Sequence, residues 1–251
     1  MARHVIAGLR HSVSSPVRDG ILMKSRCLLY YITDRRQFPG TEESCRAQLV
    51  EKIAEAAGAG VDYIQLREKD LPTRDLEMLA REALALIRES SNQSAGRSPT
   101  RFLINSLADV ALATEADGVH LRSDDVPASD VRRMWTSAET HAGGGARSTP
   151  VIAVSCHTLT DVQAAQQNGA DFAVFGPVFE KKDAPARGSG GLEALRQACE
   201  HKIPVLALGG VSLDNAAACV EAGAAGIAAI RLFQQNDVDR VVERLREVAT
   251  S

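Results

Sequence analysis

The stretch Asp62-Tyr-Ile-Gln-Leu-Arg-Glu-Lys-Asp70 opens like a buried strand, with Tyr63, Ile64 and Leu66, and then turns polar. Side chains on an extended chain alternate faces with period two. Gln65, Arg67 and Lys69 therefore share one face, and Glu68 takes the other. An amide and two cations on one face of a strand's C-terminal end can grip an anion; a strand running into a solvated loop is the plainer explanation. Asp124 and Asp125 are adjacent acids just before Pro127. Acids there cap a helix, or hold magnesium, which takes one or two carboxylates plus substrate phosphates. Opposite Arg67, Lys69, Lys181 and Lys182 they would form a metal–diphosphate clamp, with Lys182 a candidate substrate-binding cation. Ser155 and His157 share a face, and a histidine there can carry protons near neutral pH. Gly209-Gly-Val-Ser212 either brings backbone N–H groups close to a phosphate or simply makes a tight turn. His120 ends an apolar strand and reads as structural, and Cys156 reads as packing.

Residues of this kind need a scaffold that brings strand ends together. From Leu28 onward, short apolar runs alternate with helical patterns. The expected strands are 28–32, 62–66, 102–105, 117–121, 151–155, 171–175, 203–208 and 225–230. Helices are expected at 42–59, from Pro72 onward, through Val110 and Leu112, and at 127–135, 159–168, 191–201, 215–222 and 238–248. Ser90–Thr100 and Ser137–Thr149 read as loops. Three helices end in related phrases, Ala59-Gly-Val-Asp62, Asn168-Gly-Ala-Asp171 and Ala222-Gly-Ala-Ala225, with glycine as the stop. Uninterrupted apolar strands belong to sheets covered on both faces. Eight strand–helix units in this length predict a single-domain (β/α)8 TIM barrel of the α/β class; a doubly wound open sheet is the alternative. In such a barrel the chemistry sits at the C-terminal strand ends. Those ends carry Thr33-Asp34, Gln65 to Lys69, Asn105-Ser106, His120 to Asp125, Ser155 to His157, Gly176-Pro177, Gly209-Gly210 and Ile230-Arg231.

Composition narrows the classes. The chain has 251 residues, 45% hydrophobic and 24% charged, with a formal net charge of −3. No basic field points to nucleic acid, and no apolar run is long enough for a membrane span. Five widely spaced cysteines without a Cys-x-x-Cys pair argue for reduced thiols in a cytoplasmic setting. Residues 1–26 are basic and lack an apolar core, so they read as a disordered N-terminal tail ahead of a barrel domain at 27–251. A homo-oligomer is left open.

Tyr-Tyr-Ile-Thr-Asp34, Gln-Leu-Arg-Glu-Lys69, Leu-Ile-Asn105, Asp-Gly-Val-His-Leu121, Val-Ser-Cys-His-Thr158, Phe-Gly-Pro-Val-Phe179 and Gly-Gly-Val-Ser212 resemble thiamine-phosphate synthases and their TenI-like thiazole tautomerase relatives, from about residue 28 to 233. The resemblance implies a Mg²⁺-dependent transferase joining hydroxymethylpyrimidine diphosphate to thiazole phosphate, with small molecules as its partners. It implies that Gln65, Arg67 and Lys69 hold the diphosphate, that Asp125 binds magnesium beside Asn105, and that Ser155 faces the diphosphate. Gly210, Ile230 and Arg231 would hold the thiazole phosphate. Lys69, Ser155 and His157 are the candidate catalytic residues. The chain departs from the family pattern in four places. Ser106 stands where synthases carry a second aspartate, which Asp124 would replace. Arg122-Ser123 stands for Gly-Gln, and Glu180-Lys-Lys-Asp183 lacks the family's threonines. Arg231 also replaces a serine. A tautomerase using His157 as acid and base, and a non-catalytic phosphate-ligand binder, are the competing expectations.

Overall fold

Apolar runs without a polar face require cover on both sides, and a closed barrel inside a ring of helices supplies it. The computed structural model describes residues 26–93, 98–141, 149–179 and 191–248. Among them the strands are β1 (Leu28–Ile32), β2 (Tyr63–Leu66), β3 (Arg101–Asn105), β4 (Gly118–Leu121), β5 (Val151–Cys156), β6 (Phe172–Phe175), β7 (Val205–Leu208) and β8 (Gly226–Ala229). They pair in parallel in chain order, and β8 returns to β1 to close the barrel. The surrounding helices are α1 (Glu42–Ala59), α2 (Thr73–Gln93), α3 (Ala108–Thr114), α4 (Ala128–His141), α5 (Leu159–Gln167), α6 (Gly191–Cys199), α7 (Ala216–Glu221), α8 (Arg231–Gln234) and α9 (Val238–Val248). The TIM-barrel expectation therefore stands.

The helix-ending phrases have a second purpose in the register. Gly60 and Gly169 take left-handed φ values of 88° and 73°, which only glycine adopts without strain. The aspartate two residues later then turns back onto the preceding strand. Asp62 accepts from Leu29 N at 2.8 Å, and Asp171 accepts from Ile152 N at 2.7 Å. Asp117 does the same for Phe102 N at 2.8 Å. Each pins an even-numbered strand to its predecessor at the N-terminal rim, and β8, preceded by Ala225, lacks the device.

Alternate strand residues fill the barrel. Tyr30, Leu103, Ala153, Phe172, Val174, Leu206 and Ala228 form an apolar interior. One step further toward the C-terminal ends the interior becomes polar, with Gln65 bonded to Asn105 and His120 bonded to Ser155. That layer is the floor of the mouth.

Several element boundaries differ from expectation. Helix α2 runs to Gln93 and α4 to His141, so each takes up the start of a predicted loop. Serine and asparagine favour turns locally, but Leu84 and Ile87 of α2 and Val131 and Trp135 of α4 are buried and hold those helices in place. Residues 94–97 and 142–148 of those loops lie outside the described residues. The seventh strand begins at Val205, because Pro204 has no N–H for the ladder. A 3-10 turn at Arg35–Gln37 and the four-residue α8 are too short for periodicity to reveal. Residues 1–25 lie outside the described set. Arg26, assigned to the tail, pairs with Asp62 at 3.2 Å.

Candidate active site

The alternation after β2 holds in three dimensions. Glu68 is buried on the outer side, where Thr33 Oγ1 donates to Oε1 at 2.6 Å and the Arg35 backbone N–H donates to both carboxylate oxygens at 3.2 and 3.1 Å. The Arg35 guanidinium adds a contact to Glu68 at 3.1 Å and grips Asp70 with two more at 2.8 and 2.9 Å. Burial pushes the Glu68 carboxyl up, against the pull of Thr33 and Arg35. Arg67 N donates to Thr33 Oγ1 at 2.9 Å, completing the clip. The flanking cations are left for other work. Among the described residues, neither the Arg67 guanidinium nor the Lys69 ammonium has a hydrogen-bond or ion-pair partner. The charge of Arg67 holds the Lys69 amine below its ordinary value, helped by partial burial and by Arg122. Two unneutralised cations pressed together are an arrangement that a polyanion can neutralise.

A polar chain runs from the floor to the rim. Gln65 Nε2 donates to Asn105 Oδ1 at 2.9 Å, Asn105 Nδ2 to Ser106 Oγ at 3.3 Å, and Ser106 Oγ to Asp125 Oδ2 at 2.7 Å. Gln65 Oε1 is buried and, among the described residues, has no partner. Asp125 is further held by Arg122, through N at 2.8 Å and Nε at 3.2 Å. After burial, which acts the other way, the Arg122 N–H and the Ser106 hydroxyl lower the Asp125 carboxyl. The Asp124 side chain is 72% exposed and meets Arg122 Nε at 3.2 Å. Gln65, Asn105 and Asp125 are thus linked by contact, and the charges of Arg122 and Arg67 tie Lys69 to the same rim.

His120 is buried beneath this rim. Its Nδ1 lies 2.8 Å from Tyr30 Oη and its Nε2 lies 2.7 Å from Ser155 Oγ. Burial, reinforced by the charge of Arg67 and opposed by Asp125, pushes it down to about 3. The unfolded chain takes up a proton near the ordinary 6.5 that the folded chain refuses. A depressed value adds stability above that pH, which is lost as pH falls toward 3. Urea unfolding of wild type and His120→Gln at pH 6, 5 and 4 should therefore show a wild-type slope steeper by about 1.4 kcal/mol per pH unit; parallel slopes would count against a neutral buried imidazole. His157, by contrast, is exposed, and its Nδ1 lies 2.6 Å from the Gly176 carbonyl. A carbonyl only accepts, so Nδ1 carries the proton.

The model of a family described as thiamine monophosphate synthase matches residues 29–233. A putative thiamine-phosphate synthase of Geobacter sulfurreducens is 39% identical over 204 residues, covering 80% of this chain and 84% of that protein. This chain belongs to the thiamine monophosphate synthase family. The thiamine-phosphate synthase of Pyrococcus furiosus is 32% identical over 228 residues, covering 90% and 96% of the two chains. A solved structure, thiamine phosphate pyrophosphorylase from Pyrococcus furiosus, superposes with a TM-score of 0.68 at 32% identity over 91% of this chain and 98% of that one.

Other expected family positions fare differently. Gly209 and Gly210 take φ values of 95° and 67°. A Cβ on Gly209 would come 2.7 Å from Pro177 Cα, and one on Gly210 would come 2.7 Å from Phe179 Cβ. The glycine pair therefore lets the turn pack against the β6 loop. Ile230 directly precedes α8, and Arg231 is its exposed first residue. Lys182 lies outside the described residues, as does the rest of the loop from 180 to 190. Sequence reasoning missed the Arg35–Glu68 clip, the hold of Arg122 on Asp125, and Tyr30. Arg35 and Arg122 both follow strand ends; nothing local betrays Tyr30, whose partner is 90 residues away.

Proposed function

We propose that this chain is a thiamine-phosphate synthase, a transferase that joins hydroxymethylpyrimidine diphosphate to thiazole phosphate and releases diphosphate. The observation that carries the reading is the pair of cations, Arg67 and Lys69, unpartnered among the described residues and sharing a rim with the acid Asp125. Diphosphate leaves as the carbon–oxygen bond to the pyrimidine methylene breaks, and the thiazole nitrogen supplies the electron pair of the new carbon–nitrogen bond. Such a reaction asks for charge stabilisation and alignment rather than a protein nucleophile. Arg67 and Lys69 take the charge that develops on the leaving group. Gln65 has one Nε2 N–H engaged by Asn105 and, among the described residues, a carbonyl without a partner, which can accept from a substrate N–H. Gly210, Ile230 and Arg231 are assigned to the thiazole phosphate on family resemblance. Five free cysteines, four of them buried, fit a reducing cytoplasmic compartment.

The donor set fits magnesium. Asp125 offers one partly buried carboxylate, Asp124 and the Ser106 hydroxyl offer further oxygens nearby, and the remaining ligands of such an ion are normally phosphate and water. Bound there, Mg²⁺ would neutralise diphosphate charge. Arg122 competes for the same carboxylate oxygens. A half-exposed ion pair is worth about 0.2–1 kcal/mol. Arg122→Ala should therefore tighten Mg²⁺ binding in the presence of inorganic diphosphate up to about fivefold by calorimetry; unchanged or weaker binding would show that Arg122 does not compete.

Incubation with both substrates, with and without Mg²⁺, tests the main reading by the appearance of thiamine phosphate and free diphosphate. Turnover untouched by EDTA, or none with enzyme in excess, would refute it. A thiazole tautomerase is the second reading, favoured by one observation: exposed His157 has Nδ1 committed and, among the described residues, Nε2 without a partner and able to accept a proton. Normal isomerisation by His157→Ala would remove that role.

A further inference from the structure

We infer that Tyr30 and His120 form a one-directional hydrogen-bond chain that makes the Ser155 hydroxyl a donor pointing out of the barrel floor. The argument is a count of protons. Tyr30 is 0% exposed and His120 is 2% exposed. The Tyr30 ring is walled in by Tyr63, Phe172 and the His120 ring itself, with centroids at 5.9, 5.6 and 5.6 Å. Among the described residues, its hydroxyl meets one polar atom, His120 Nδ1 at 2.8 Å. Nε2 meets Ser155 Oγ at 2.7 Å.

A neutral imidazole has one donor and one acceptor nitrogen. If Nδ1 carried the proton, it would donate to Tyr30, and the Tyr30 hydroxyl hydrogen would be left among apolar side chains with no acceptor. A buried donor without a partner is strongly disfavoured. If both nitrogens carried protons, a cation would sit in the barrel core near Arg67, only partly offset by Asp125, and the Tyr30 hydroxyl hydrogen would again have no acceptor. The remaining arrangement satisfies every group: Tyr30 O–H donates to Nδ1, Nε2–H donates to Ser155 Oγ, and the Ser155 hydrogen is free. Ser155 is half-buried, on the mouth side of this chain.

The consequence is chemical. With Nε2 protonated, His120 cannot take the Ser155 proton, so the pair is not a nucleophile and its base despite its spacing. Tyr30 and His120 are positioning residues, and Ser155 is a fixed donor for an electron-rich oxygen. That this oxygen belongs to diphosphate rests on the function proposed above; the direction of the chain does not.

Long-range ¹⁵N–¹H correlation spectra of the full chain labelled at histidine test the direction. His120 should show a protonated Nε2 and a bare Nδ1 acting as acceptor; a protonated Nδ1 overturns the inference. Inorganic diphosphate titration tests the consequence. Ser155→Ala should weaken it about tenfold, the loss of one hydrogen bond to a charged acceptor. His120→Ala should weaken it similarly, while His120→Gln, whose amide can still donate where Nε2 does, restores most of the affinity. Equal losses in the alanine and glutamine variants, both folded by circular dichroism, would also overturn it. Failure of wild type to bind diphosphate would strike the proposed function and leave the tautomer to the spectrum.

Discussion

Replacing Lys69 with alanine is expected to lower thiamine phosphate formation at least 100-fold, about 2.7 kcal/mol of transition-state stabilisation. The reason lies in what Lys69 lacks. Its ammonium has no carboxylate partner among the described residues, and the charges that act on it most, Arg67 and Arg122, repel it. Such a cluster is unfavourable when empty of anion and is relieved by a group of several negative charges. The relief grows as the leaving diphosphate gains charge, so the loss should fall on kcat more than on KM. A binding measurement separates the two: Lys69→Ala should weaken inorganic diphosphate by much less than it slows turnover. A rate near that of wild type would remove Lys69 from the site. Loss confined to KM would make it a docking residue with no part in the transition state.

The same residues show how far the sequence could be read. Continuous apolar strands and glycine-stopped helices announce a barrel because each unit is local, and the order of units then fixes the topology. Period-two alternation placed Gln65, Arg67 and Lys69 together and sent Glu68 to the opposite side, where it is found. The glycine pair after β7 was harder. Glycine marks close approach without saying to what, and here the approach is to Pro177 and Phe179. Arg122 and Ser106 were legible only as departures from a family pattern; that both converge on Asp125 needed coordinates, because β3 and β4 place residues 19 apart within hydrogen-bonding distance. Tyr30 looked like any core aromatic. Its significance comes from a hydroxyl reaching across the barrel from β1 to β4, a contact that no linear pattern encodes.

Arg35→Ala should cost about 3–5 kcal/mol of folding stability, as removal of one partner from a buried ion pair does. Arg35 and Glu68 side chains are 3% and 1% exposed, and the alanine variant would leave Glu68 in place without its cation. Asp70 and Glu42, the other partners of Arg35, are about half exposed and will be hydrated instead. The pH dependence follows from the sign. Burial already pushes Glu68 up, and loss of Arg35 removes an opposing influence, so its folded-state value rises further. A raised value favours the folded state at low pH and loses that advantage as pH rises through it. The variant should therefore be least destabilised near pH 5 and most near pH 8, which urea unfolding at the two values would measure. A pH-independent loss below about 1 kcal/mol, the range of exposed pairs, would show that the clip is not a buried pair in solution. Adding Glu68→Gln to the variant should recover part of the loss, since a neutral amide tolerates burial better than a lone carboxylate. Because Glu68 lies between Arg67 and Lys69 in the chain, local release of the clip should weaken diphosphate binding at denaturant concentrations where the barrel itself is still folded.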